Sequence, residues 1–103
     1  MRQFEGNTVK LKMTKMVLDR GQYDDNVHIC KVIMYKKSEE RIYLLTGKTE
    51  LTEFSLDANY ECVIPEEDSE VRCNGFIRER YWNKQGKVIV FQIKNGFYKN
   101  TVN

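Results

Sequence analysis

From Val71 to Tyr98 the chain reads as two long strands folded back on each other, and a hairpin of that length leaves little room for a helical fold. Val71, Cys73, Gly75 and Ile77 alternate with polar residues along Val71 to Trp82, the period of two that a half-buried strand requires. Asn83-Lys84-Gln85-Gly86 supplies the turn. The return strand, Lys87 to Lys94, sets Ile89, Phe91 and Ile93 on one face, and Asn95-Gly96 is a turn signal that predicts its end.

The same punctuation runs through the rest of the chain. After Gly6-Asn7, Thr8 to Leu18 reads as a strand with Val9, Leu11 and Met13 inward. Met16 and Leu18 fall on the opposite parity, so a bulge near Thr14-Lys15 is expected to rotate them back onto the core. Asp19 to Asn26 is a polar loop, in which the Asp24-Asp25 pair reads as solvated charge. Val27 to Lys36 carries apolar residues on both parities, the pattern of a strand buried on both faces. Lys37 to Glu40 turns the chain into a further strand, Arg41 to Thr46, which Gly47-Lys48-Thr49 closes. Glu50 to Ala58 reads as irregular with one helical turn; Tyr60 to Ile64 is a strand that Pro65 ends, and an acidic loop, Glu66 to Glu70, leads into the long hairpin.

Six strands without a long helix gain a core only by curling or closing, so an all-β fold is expected: one small antiparallel barrel over residues 1–103, with 1–5 and 99–103 frayed. The chain has 103 residues, 41% of them hydrophobic and 31% charged, which suits a single well-solvated domain. Its apolar runs are a few residues long, so no bilayer span is expected, and the absence of an apolar leader predicts a cytoplasmic protein. Cys30, Cys62 and Cys73 have long irregular spacings and the one histidine, His28, stands two residues before Cys30. That is half a metal site, so no metal and no cofactor is expected, and the thiols read as buried apolar groups in a reducing compartment.

The order Gly6-Asn7-Thr8-Val9-Lys10-Leu11, Val27 to Lys36, Ile42-Tyr43-Leu44, Leu56 to Ile64 and Gly75 to Tyr81 resembles the PilZ-type barrels of bacteria, most closely the N-terminal, PilZN-type barrel of flagellar-brake proteins. The resemblance implies a small barrel with a regulatory role. PilZ domains bind cyclic di-GMP through R-x-x-x-R and [DN]-x-S-x-x-G segments; the matching stretches here are Lys37-Ser38-Glu39-Glu40-Arg41 and Glu53-Phe54-Ser55-Leu56-Asp57-Ala58. Lysine stands for the first arginine, glutamate for the first acid or amide, and alanine for the glycine. A lysine cannot stack and fork as a guanidinium does. Cyclic di-GMP is therefore not expected as a ligand, and Lys37, Arg41 and Ser55 mark only where a nucleotide would contact the chain.

No nucleophile stands near His28 in sequence and no phosphate loop or hydrolase motif occurs, so no enzymatic activity is expected. The candidate functional feature is the face of the last hairpin that carries Arg72, Asn74, Phe76, Arg78, Arg80 and Trp82, which a regular strand would display together. Arginines among aromatics suit a protein interface or a single-stranded nucleic acid. Packing of Phe76 and Trp82 under a loop, with the arginines lying over them, uses the same residues structurally. The net charge of +2, with Glu79 and the acidic loop close by, favours a protein partner over a polyanion. The alternative is an OB- or SH3-like nucleic-acid-binding barrel using that face.

Overall fold

The computed structural model describes residues 4–18 and 20–101, with the backbone alone for 99–101. Six strands, β1 (Thr8–Met16), β2 (Val27–Lys36), β3 (Arg41–Leu45), β4 (Ala58–Pro65), β5 (Ser69–Asn83) and β6 (Gly86–Thr101), form one antiparallel sheet. Around it the order is β1-β2-β3-β6-β5-β4, and β4 pairs back onto β1, so the sheet closes into the expected barrel. Closure gives every strand two partners and removes most of the free edge that an open sheet presents, although β5 beyond Phe76 and β6 beyond Ile93 each pair with one strand only. Among the described residues, helical structure is confined to 3-10 turns at Lys37–Glu39 and Leu51–Glu53.

Bulges decide which residues face inward. In β1 the register against β4 shifts between Met13 and Lys15, where the parity of the apolar residues changes. Met16 thereby returns to the core, whereas Leu18 lies beyond the strand and is 53% exposed. β2 differs from the sequence expectation. His28, Cys30 and Val32 are buried, but Val27 and Ile29 are about half exposed. A register shift between Val32 and Met34 then brings Tyr35 opposite the buried Ile42. Its apolar residues on two parities thus serve one interior in succession, on either side of a bulge, rather than two faces at once.

β6 also departs from expectation, since it runs through Asn95-Gly96 instead of stopping there. Gly96 takes a φ of +71°, and the register against β5 shifts between Cys73 and Gly75, so the turn signal is absorbed as a bulge. The backbone of 99–101 pairs with Ser69, Glu70 and Val71, where a frayed tail was expected, while residues 102–103 lie outside the described residues. At the other terminus Phe4 is buried, so it too departs from the expected fraying.

The core is filled by Leu11, Ile42, Leu44, Ile77, Ile89 and Phe91, none more than 1% exposed. Each such side chain contributes about 1.5–3 kcal/mol on burial. One end of the barrel is plugged by Phe4, Tyr35 and Phe97, whose ring centroids lie 5.3–5.6 Å apart. The β2–β3 and β4–β5 turns lie at that end. The three other connections, β1–β2, β3–β4 and β5–β6, gather at the opposite end, where His28, Phe54 and Tyr60 close the interior.

Candidate functional site

Two of those connections form the walls of a cleft of about 670 Å³. Met13 and Phe54 belong to its lining, and Leu18, Tyr23 and Leu56 stand around it with about half of their surface exposed.

The first wall is the loop between β1 and β2. Asn26 N donates to Asp24 Oδ1 at 2.9 Å, an Asx-type turn that aims the other carboxylate oxygen inward. Asp24 Oδ2 lies 2.5 Å from His28 Nε2, and His28 Nδ1 lies 3.1 Å from Thr49 Oγ1. Tyr23 Oη adds a bond to Met13 O at 3.0 Å. Burial of Asp24 by itself would raise its pKa, but the hydrogen bonds from His28 and Asn26 and the attraction of His28 outweigh it and hold the carboxyl below the ordinary value.

The second wall is the segment 50–57. Phe54 is fully buried and anchors it. Ser55 N donates to Tyr60 Oη at 3.0 Å. Arg80 Nη1 donates to the carbonyls of Phe54 at 2.6 Å and Leu51 at 3.3 Å, capping the 3-10 turn from across the barrel mouth. Val17 N donates to Asp57 O at 2.9 Å and joins the two walls. Both walls are therefore tied to the barrel by specific bonds rather than by apolar contact alone.

The residues singled out on the last hairpin do not stay together. β5 gains one residue against β6 between Ile77 and Glu79, so Arg78 is the bulged residue and the parity reverses after it. Arg72 and Phe76 face outward, whereas Arg80 pairs with Ile89 and Trp82 with Lys87 on the opposite parity. Arg72 donates to Glu61 Oε1 at 2.9 Å and is paired with Glu70 as well. Tyr98 Oη donates to the other oxygen of Glu61 at 2.7 Å. Arg78 is exposed, and Trp82 is 69% exposed at the cleft end of the barrel.

Lys37 and Arg41 stand at the β2–β3 turn, and Arg41 is bonded to Gln92 Oε1 at 3.0 Å. Ser55 lines the cleft at the other end, so the three residues that would contact a nucleotide share no site.

His28 and Cys30 both face inward, as their spacing predicts, but both imidazole nitrogens are engaged by Asp24 and Thr49. Asp24, expected to be solvated, is instead largely buried beside His28 because the Asx turn folds it back; Asp25 stays exposed, 3.5 Å from Lys12. Cys62 and Cys73 are direct cross-strand partners in the core. A hydrogen bond with Cys73 and burial push the Cys62 thiol well up, and burial pushes Cys30 up to about 12. Among the described residues no three His, Cys, Asp or Glu side chains converge to hold a metal.

Sequence reasoning missed the cleft. Its lining comes from Met13, Met16, Leu18, residues 21–26, the 52–57 segment and Arg80, which are far apart in the chain. The one local signal was Asp24-Asp25-Asn26, whose composition suits an Asx turn. No protein-family model, no curated protein and no solved structure matches this chain.

Proposed function

We propose that the protein is a non-enzymatic regulatory or protein-interaction module, a small PilZ-like barrel of the bacterial cytoplasm that docks a partner protein at its cleft end. The observation that carries this reading is the pinned cleft itself, in which the half-exposed Leu18, Tyr23 and Leu56 surround the buried Phe54. Apolar side chains held at the surface around a concavity are what an interface core requires. Trp82 stands exposed at the same end, where it can extend the contact.

The nucleic-acid alternative draws less support. Arg72 is neutralised by Glu61 and Glu70, Arg80 is bonded to backbone carbonyls, and Asp24, Asp25, Glu53 and Asp57 line the cleft. Cyclic di-GMP draws none, because Arg41 and Ser55 lie at opposite ends of the barrel.

The test is photo-crosslinking in the source cells with benzoylphenylalanine placed at Leu56, at Trp82 and, as a remote control, at Lys37. A discrete protein adduct from Leu56 and none from Lys37 is the expected outcome. An adduct from Trp82 that nuclease removes would turn the reading toward nucleic acid. No adduct from either cleft-end position would overturn docking at this end.

A further inference from the structure

The reading of the cleft as a docking site leaves its occupant open, and resting on that reading we infer that the occupant is a partner segment with an apolar anchor flanked by lysine or arginine. Three observations lead there.

Size comes first. A cleft of about 670 Å³ lies within the range of specific pockets, about 300–1,000 Å³, and holds a few side chains rather than a whole domain face. Its apolar lining of Met13, Met16, Leu18, Phe54 and Leu56 matches an apolar anchor. Two of these are methionines, which repack around different side chains at little cost.

Charge comes second. Among the described residues, Asp24, Asp25, Glu53 and Asp57 line the cleft against a single cation, Arg80. That guanidinium is turned to the carbonyls of Leu51 and Phe54. His28 lies behind Asp24 and Lys12 stands beside Asp25, but neither lines the cleft. The field over the apolar lining is therefore negative. It attracts a basic flank and makes an acidic or phosphate-rich ligand lose solvation without gaining a partner.

Topology comes third. The middle of every strand in the closed barrel already has two neighbours, and the two walls of the cleft are the loop at 21–26 and the segment 52–57, which are not strands. Recognition between those walls runs mainly through side chains, which makes the apolar anchor and its flanking charge the determinants.

The experiment uses two short fluorescein-labelled peptides with the same Leu-Phe centre, one flanked by lysines and one by glutamates. Binding is followed by anisotropy, and its location by amide shifts in the ¹⁵N-labelled full chain. The expected result is that the lysine peptide shifts Tyr23, Phe54 and Leu56 and binds at least about tenfold more tightly than the glutamate peptide at low salt. That preference should shrink as salt shortens the reach of the field. Asp25→Lys with Asp57→Lys, both at exposed positions, should reverse it. Equal binding at the cleft, a preference for the glutamate peptide, or a preference unmoved by the double variant would overturn the inference and leave docking standing. If neither peptide moves a cleft amide, the inference and the docking reading fall together.

Discussion

Replacing Gly75 with alanine should cost this barrel a large part of its stability, although Gly75 lies in the middle of a strand where alanine is ordinarily the better residue. A Cβ built there would stand inside the envelope of the Gln92 carbonyl oxygen, 2.9 Å from its carbonyl carbon and 3.0 Å from Phe91 Cζ. The obstacle is backbone, so no rotamer change relieves it. β5 must move off β6 by on the order of an ångström, and the pairing of Gly75 with Ile93 and Phe76 with Gln92 loosens with it.

Overpacking of this kind costs about 1–3 kcal/mol, and two weakened hydrogen bonds add about 1 kcal/mol each. The sum is about 3–5 kcal/mol. With an unfolding entropy of about 2.1 cal/mol/K per residue over 103 residues, that lowers Tm by about 15–25 °C. Gly96→Ala is the matched control, since Gly96 has a φ of +71° but open space around its Cα, and only the conformational term of about 1 kcal/mol applies. Thermal melts of the three proteins by near-ultraviolet circular dichroism read both terms. A Gly75→Ala protein melting within about 3 °C of wild type, or no lower than Gly96→Ala, would refute the reasoning that close strand approach holds this position.

Three further outcomes follow from the cleft and the core. Arg80→Met should lower hydrogen-exchange protection of the 51–57 amides about tenfold, the equivalent of one bond from a charged donor, while amides at the barrel centre keep theirs; unchanged exchange at 51–57 would show that Arg80 does not hold that wall. Cys30, whose thiol lies at about 12, is about one part in ten thousand thiolate at pH 8, and Cys62 and Cys73 are fully buried. Iodoacetamide should therefore label none of the three in the folded protein and all three in urea, and a label on folded Cys30 would contradict its packing. The folded pKa of Asp24 lies below its ordinary 3.8, so its contribution to stability is complete above the unfolded value and is lost as pH falls through the folded one. The Tm gap between wild type and Asp24→Asn should be widest near neutral pH and should close in acid, whereas a gap of constant width would place the stabilisation elsewhere.

Much of the fold was legible because a half-buried strand carries its orientation in its own sequence. Val9, Leu11 and Met13, Ile42 and Leu44, and Tyr60, Cys62 and Ile64 all face the interior on the period of two. The bulge after Met13 was legible for the same reason, since an apolar run that changes parity keeps one face buried only if an extra residue is inserted at the change. Where the same signal recurred, at Ile33 and at Arg78, it was harder to read. In β2 the run is apolar on both sides of the shift, and in β5 the residues after the shift are polar or amphipathic, so neither marks the reversal. For that reason the arginine and aromatic set of the last hairpin looked like one face and is divided between two.

The class of fold is written in the amino-acid order: six runs of β-forming residues, punctuated by turns and lacking a long helical period, have to close on themselves to bury an interior. Apart from the Asx turn that sets Asp24 beside His28, the site belongs to the tertiary structure. His28 Nδ1 meets Thr49 Oγ1, Arg80 reaches the carbonyls of Leu51 and Phe54, and Leu18 and Leu56 line one cleft because barrel closure brings the three connections at one end together. Those contacts depend on strand register and on the bulges that rotate it. Register is settled by the pairing of whole strands, which no local stretch of sequence contains.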